Sequence, residues 1–298
     1  MKTISMLLAA TAAIALAGCQ SIVPAEEPAG LSAEATTALD AALAAQEDEA
    51  KARYNARNPG ETIAFFEIEP GMTVVEALPG GGWYSKILIP YLGPEGQLIG
   101  AHYPDEIWPV LFGENADPDR IAGFIERSNG WAAGAREWFG DAGADIQQYK
   151  MTDGQVSENA GTVDAVVFIR ALHNLNRAEG ELSTMSGAIS EAYDLLKPGG
   201  IVGVVQHRGP EGNSDEWADG NAGYLKQSAV VAAFEAVGFE LDATSEINAN
   251  PLDVPGEDDF VWRLPPSRAT TEENTPERAA VDAIGESDRM TLRFRKPA

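Results

Sequence analysis

Residues 74–84 read Val74-Val75-Glu76-Ala77-Leu78-Pro79-Gly80-Gly81-Gly82-Trp83-Tyr84. An apolar strand runs into an acid, then into three glycines, then into a helix-like segment. Glycines at such a turn let the backbone approach a ligand of nucleoside type where a side chain would block it. Outward from this point the chain alternates between short apolar runs and helix-like segments.

Residues 72–77 form the first expected strand and 83–92 the helix after it, closed by Gly93-Pro94-Glu95-Gly96. Residues 97–101 and 144–149 read as the second and third strands. Helices are expected over 119–128 and 130–139. Residues 163–169 are almost all apolar, as expected of a strand buried on both faces. A helix over 180–196 ends at Lys197-Pro198-Gly199-Gly200, and 201–205 is again a strand without a polar side chain. A helix over 224–237 is closed by Gly238. Residues 239–248 and 290–294 make a final strand pair. Between them, 250–286 is rich in proline and charge and reads as a long loop that can serve as a lid. Before the first strand, 32–54 is alanine-rich with an apolar face broken only by Gln46, so one helix is expected there. A short helix follows over 61–66. Strands alternating with helices give an α/β fold. The expected form is a Rossmann-like, doubly wound, mostly parallel seven-stranded sheet. Its last strand is antiparallel, helices cover both faces and an extra helix precedes it.

Residues 76–82 resemble motif I of class I S-adenosylmethionine-dependent methyltransferases, an acid followed by glycines at every second position. Leu78 stands in place of the first glycine, while Gly80 and Gly82 keep the pattern. Three further stretches resemble the family in order. Val163-Asp164-Ala165-Val166-Val167-Phe168 resembles its fourth strand. Leu195-Leu196-Lys197-Pro198-Gly199-Gly200 resembles the turn before its fifth. Ala236-Val237-Gly238-Phe239 resembles the turn before its sixth. Pro79 to Tyr84 and the closing Phe294-Arg295-Lys296-Pro297 are similar to exported, predicted methyltransferases of unknown substrate.

The resemblance implies S-adenosylmethionine as cofactor. Glu76, Pro79, Gly80, Gly81 and Gly82 would hold its methionine part and ribose. Trp83 and Tyr84 read as core residues at the helix start. The family carries an acid after the second strand for the ribose hydroxyls. Here His102 stands at that point, with Asp105 and Glu106 only later. His102 can donate one hydrogen bond but cannot accept two as a carboxylate does. Asp153, after the third strand, occupies the place of the family's adenine contact. The chain has three histidines, His102, His173 and His207. Each follows an expected strand at its carboxyl end, the edge where ligands of such sheets bind. His173 and His207 are the candidate catalytic bases for an acceptor that must lose a proton. Arg170 and Arg208 flank them, either as anion holders or as surface counter-ions. A three-histidine metal site would need the rings to converge, and no metal is expected.

The amino-terminal end reads separately. Residues 1–19 have a lysine followed by an apolar run and end in Leu16-Ala17-Gly18-Cys19, which resembles a bacterial lipobox. That resemblance implies lipid attachment at Cys19. Gln20, rather than aspartate, after the cysteine favours the outer membrane, on its periplasmic side. Residues 20–33 read as a flexible tether, and 34–298 as one methyltransferase-like domain. No other cysteine is present, which excludes an intramolecular disulfide and a thiol catalyst. The formal charge of −25 argues against a nucleic-acid partner. Two readings of the whole chain lead, ahead of a minor one, a metal-dependent hydrolase using the three histidines. One is a lipid-anchored methyltransferase acting on a small molecule. The other is a non-catalytic lipoprotein that keeps the fold as a binding or scaffold module.

Overall fold

The computed structural model describes residues 30–113, 116–151 and 159–298. The signal segment, Cys19, most of the tether and Asp153 lie outside the described residues. The chain begins with α1 (Ala33–Ala44), α2 (Asp48–Lys51), α3 (Tyr54–Arg57) and α4 (Pro59–Phe65). The helix expected over 32–54 is therefore three pieces. Ser32 caps the first by accepting from the Ala35 amide at 3.1 Å. Gln46 interrupts the run: its buried amide donates to Ala42 O at 2.9 Å and to Lys86 O at 2.8 Å, a partner forty residues away.

The alternating part follows as β1 (Thr73–Ala77), α5 (Ser85–Leu92), β2 (Gln97–His102), α6 (Ile107–Phe112), α7 (Pro118–Asn129), α8 (Trp131–Phe139) and β3 (Asp145–Lys150). It continues with β4 (Val163–Ile169), α9 (Leu172–Asn176), α10 (Glu179–Leu182), α11 (Thr184–Leu195) and β5 (Leu196–Gly209). The chain ends with β6 (Leu225–Lys226), α12 (Gln227–Val237), β7 (Glu240–Ser245), α13 (Pro276–Ile284) and β8 (Arg289–Arg295). The helix expected over 180–196 is split at Ser183, whose φ of 51° turns the chain between α10 and α11. The expected loop 250–286 contains α13 and a 3-10 turn, Val261–Arg263.

The strands lie in the order β3-β2-β1-β4-β5-β8-β7, with the two-residue β6 beside β5. The seven strands of this path match the expected seven-stranded sheet, and β6 adds an eighth. Pairing is parallel except around β8, which is antiparallel to both β5 and β7. Alternate residues of each central strand face opposite sides. Val75, Ala77, Val166, Phe168, Val202 and Val204 pack under α9, α11 and α12. Val74, Leu98, Ala165, Val167 and Val205 pack on the other side under α1, α4, α5 and α8. Both faces are apolar, which is why these strands read as continuous apolar runs. This is a Rossmann-like, doubly wound α/β architecture.

β8 departs from that rule. Met290, Leu292 and Phe294 enter one core, but Arg289 and Arg293 occupy the opposite face and are buried. Arg293 is held by Glu67, by Asp242 and by the carbonyl of Phe65. Arg289 donates to the carbonyl of Ala56. The N-terminal helices are therefore bound to the far strand of the sheet by charged hydrogen bonds as well as by apolar contact.

Candidate functional site

β1 and β4 are neighbours, and the sheet grows away from them in opposite directions. The crevice at their carboxyl ends is the switch point where doubly wound sheets bind ligands. The chain leaves each of these strands through a non-glycine residue in the left-handed region: Leu78 at φ 54° and Arg170 at φ 57°. The Leu78 amide donates to Ala101 O at 2.7 Å and the Arg170 amide to Val205 O at 2.6 Å. Leu78 adopts, at a cost of about 1–3 kcal/mol, the kind of backbone conformation that a glycine supplies freely.

Two cavities meet at this point and share Leu78, Gly80, Gly81, Arg170 and Asn174. The first, about 510 Å³, is completed by His102, Tyr103, Trp108, Phe124 and Trp131, among others. The second, about 360 Å³, is completed by Pro79, Trp83, His173, His207 and Trp262, with Ile169. Both volumes fall in the range of small-molecule sites. A larger groove of about 910 Å³ lies elsewhere, around Arg208, Gln227 and Val231. Its guanidinium is already engaged by Glu246 and Asp288, and it contains none of the glycine turn.

The three turn glycines have different reasons to be glycine. A side chain at Gly81 would meet nothing within 4 Å, and at Gly80 only Leu78 O at 3.9 Å. The backbone there is bare toward the cavities. A side chain at Gly82 would lie 2.2 Å from the Trp138 ring. Gly82 is off both cavity walls, and its role is to let Trp138 pack.

Glu76 does not reach the cavities either. It is 4% exposed, within β1, and accepts from Ser85 Oγ at 2.6 Å. Burial raises its pKa to about 7, and the Ser85 hydrogen bond offsets this only in part. Glu76 therefore supports the turn from beneath by tying β1 to the start of α5.

His102 lines the larger cavity, edge-on to Trp131 with ring centroids 5.3 Å apart. Burial lowers its pKa to about 4, with Lys150 adding to the effect. The ring is neutral near pH 7. Its Nε2 points back to the notch at Gly100 and has no hydrogen-bond partner among the described residues. Asp105 does not fill the place of the missing ribose acid, because Lys150 claims it.

His173 and His207 share the second cavity, ring centroids 5.2 Å apart. Gln206 fixes the first ring. Its amide nitrogen donates to Gly223 O at 3.1 Å and to His207 O at 3.3 Å, so its oxygen is the acceptor. That oxygen receives both the His173 amide, at 3.3 Å, and Nδ1, at 3.2 Å. The proton therefore sits on Nδ1, and Nε2 keeps a lone pair. Burial lowers the His173 pKa to about 4 despite the Gln206 bond, and Arg170 and Arg177 depress it further. His207 contacts Ser287 Oγ at 2.5 Å. Its pKa is pushed well down, first by burial, then by His173 and by Arg170, Arg289 and Arg57. Both rings are neutral and weak bases. His102 belongs to the other cavity, and among the described residues no group of three His, Cys, Asp or Glu side chains is placed to hold a metal ion.

Several site residues were not singled out from the sequence. Trp262 comes from the expected loop and stands 6.0 Å from His173, ring to ring. The loop is pinned by Asp253, whose carboxylate receives Tyr224 OH at 3.0 Å, Arg263 Nη2 at 2.9 Å and the Asp288 amide at 3.0 Å. Trp108 and Trp131 arise in the 105–143 region, where no strand pattern guides a reading, and Tyr103 directly follows β2. Gln206 had one signal, a polar residue following an all-apolar strand.

No protein-family model matches the sequence, and no curated protein matches it. Solved structures do resemble the fold. A SAM-dependent methyltransferase from Aquifex aeolicus aligns over 87% of this chain and 98% of its own, at 13% identity and a TM-score of 0.48. An arsenic (III) S-adenosylmethionine methyltransferase from Chlamydomonas reinhardtii aligns over 88% and 73%, at 15% identity and a TM-score of 0.43. The 4+2 cyclase SpnF aligns over 82% and 81%, at 18% identity and a TM-score of 0.46.

Two outcomes are expected of this geometry. Gly82→Ala should cost about 2 kcal/mol or more in urea unfolding, from the Trp138 clash and the positive φ, while Gly81→Ala stays within about 0.5 kcal/mol. Equal losses would contradict the division of roles. Glu76 carries its proton in the folded protein up to about pH 7 and, unfolded, releases it near 4.5. Its contribution is therefore full below 4.5 and lost as pH rises through 7. Glu76→Gln removes that loss, whereas the histidines titrate alike in both proteins. The stability of the variant relative to wild type should then rise by about 3 kcal/mol between pH 4 and 8. Parallel pH curves would show that the carboxyl is ionised throughout.

Proposed function

We propose that this protein is an S-adenosylmethionine-dependent methyltransferase for a small molecule, held by a lipid on Cys19 at the periplasmic side of an outer membrane. The observation that carries the reading is the cleft at the ends of β1 and β4, where the backbone of Gly80 and Gly81 is bare and Tyr103, Trp108 and Trp131 line the larger cavity. The aromatic rings beside it suit an adenine, and the bare amides of Gly80 and Gly81 suit the part that follows. The residues present thus fit the cofactor.

When bound, the cofactor supplies a methyl group on a sulfonium. The chain's own contribution is alignment and shielding. Methyl transfer is an in-line displacement, so holding the two reactants in register is the main requirement. Trp83 and Trp262 wall the second cavity against water. His173 Nε2, with its tautomer set by Gln206, accepts a hydrogen bond from an acceptor that carries a proton. At a pKa near 4 it orients that proton better than it removes it.

The alternative, a binding module without catalysis, draws on Asp105 being tied to Lys150 and on the weak histidines. The open cleft beside Gly80 speaks against an occluded fold. Calorimetric titration of the purified protein with S-adenosylmethionine and S-adenosylhomocysteine tests the reading. Binding is expected with micromolar affinity, weakened at least about tenfold in Gly81→Ala, whose fold should be intact. No heat with either compound well above micromolar concentration sinks the proposal. No helix among the described residues is long and apolar enough to cross a membrane. On the proposed reading the lipid on Cys19 makes the membrane attachment. Cys19→Ser should move the protein from the membrane to the soluble fraction on cell fractionation, and an unchanged distribution would overturn the anchor.

A further inference from the structure

We propose that the cavity of Arg170, His173 and His207 binds the methyl acceptor as an organic anion, a carboxylate or phosphate on an apolar body. The word acceptor rests on the methyl-transfer reading, whereas the anion site itself rests on the charge and geometry of the cavity.

The protein carries a formal charge of −25, yet the surroundings of this cavity have the opposite sign. Arg53, Arg57 and Arg289 converge on one carboxylate, that of Glu286, at 2.7, 3.2 and 3.3 Å. Arg57 and Arg289 are 2% and 3% exposed, and Arg57 Nη2 and Arg289 Nε remain without partners among the described residues. Arg57 lies over the Trp83 ring, 4.8 Å from its centroid, and Trp83 lines the cavity. Arg170 adds a fourth guanidinium. It stands on the cavity wall and makes no ion pair and no side-chain hydrogen bond among the described residues.

Arg208 shows what a structural arginine looks like in the same fold. It is bound by Glu246 at 2.7 Å and by Asp288 at 2.8 Å, and its charge is spent. Arg170 is instead held at the cavity by a strained backbone, φ 57°, at the carboxyl end of β4. Strain of this kind persists where the surrounding structure enforces it, often at ligand clamps. A cleft lined by one sign of charge between low-dielectric walls concentrates the opposite ion.

The remaining walls narrow the class. His207 can offer an Nε2 hydrogen to an anion when Ser287 Oγ donates to its Nδ1, whereas the free Nε2 of His173 is an acceptor and suits a hydroxyl on the same ligand. Trp83 and Trp262 offer aromatic surface for an apolar body. A cationic amine would meet the arginines and has no carboxylate on the cavity wall to pair with. Arg170 also borders the larger cavity, so the carboxylate of the cofactor's methionine part is the rival occupant.

The test is calorimetry on the purified full-length protein, with benzoate, phenyl phosphate and benzylamine as probes. Each is titrated with and without saturating S-adenosylhomocysteine. The proposal expects benzoate or phenyl phosphate to bind in both states and benzylamine in neither. The preferred anion separates a carboxylate from a phosphate site. Arg170→Gln should weaken the anion at least about tenfold, with unchanged thermal unfolding and a clearly smaller loss of affinity for S-adenosylhomocysteine. Arg170→Lys should recover part of the loss and covers the case of a misfolded glutamine variant. Displacement of the anion by S-adenosylhomocysteine overturns the proposal, because the site would then belong to the cofactor's carboxylate. Absence of anion binding to the loaded protein overturns it too, and leaves the methyltransferase reading standing. Arg170-dependent anion binding in a protein that ignores S-adenosylhomocysteine upholds the anion site and removes the methyltransferase reading.

Discussion

The candidate site depends on one constraint, that β1 and β4 end side by side while the sheet grows away from each in opposite directions. No further strand crosses in front of their ends among the described residues. The chain must turn away at once, and at both ends it does so through the left-handed region, at Leu78 and Arg170. The first turn uncovers the amides of Gly80 and Gly81. The second places a guanidinium at the junction of two cavities. Neither effect needs a ligand in order to exist. The cost sits in two residues, and the packing of a sheet buried on both faces supports them.

Charge follows the same geography. An excess of acid covers the protein, while four arginines gather behind the crevice around Glu286. The β8 arginines explain how this is tolerated. Arg289 and Arg293 bind carbonyls of the N-terminal helices, so the cations that shape the cavity's field also hold those helices on the sheet. Removing Glu286 would leave three guanidinium groups facing one another in a region largely closed to water.

Much of this was legible in the chain, for reasons that differ by element. Residues 163–169 match β4 because burial on both faces leaves no other pattern. The glycine turn and the three histidines at strand ends could be placed because strand order fixes where the ends lie. Other features depend on partners far along the chain. Gln46 ends α1 through a carbonyl in α5, and no local signal carries that information. Arg170 and Arg208 look alike in sequence. They differ only because Glu246 and Asp288, 38 and 80 residues further on, reach the second and not the first. The glycines divide in the same way, since Trp138, more than fifty residues later, makes Gly82 structural. The 250–286 segment reads as a loop because its order comes from Asp253 and not from periodicity.

That carboxylate has a kinetic meaning. Asp253 receives hydrogen bonds from Tyr224, from Arg263 beside Trp262, and from the amide of Asp288 just before β8. Lifting the segment that carries Trp262 pulls Arg263 from this carboxylate, which is otherwise buried. Such a closure does not fray; it opens as one cooperative unit and seldom. Whatever occupies the cavity beneath Trp262 would then leave at a tempo set by the latch, so dwell time can be tuned by substitutions that never touch the occupant.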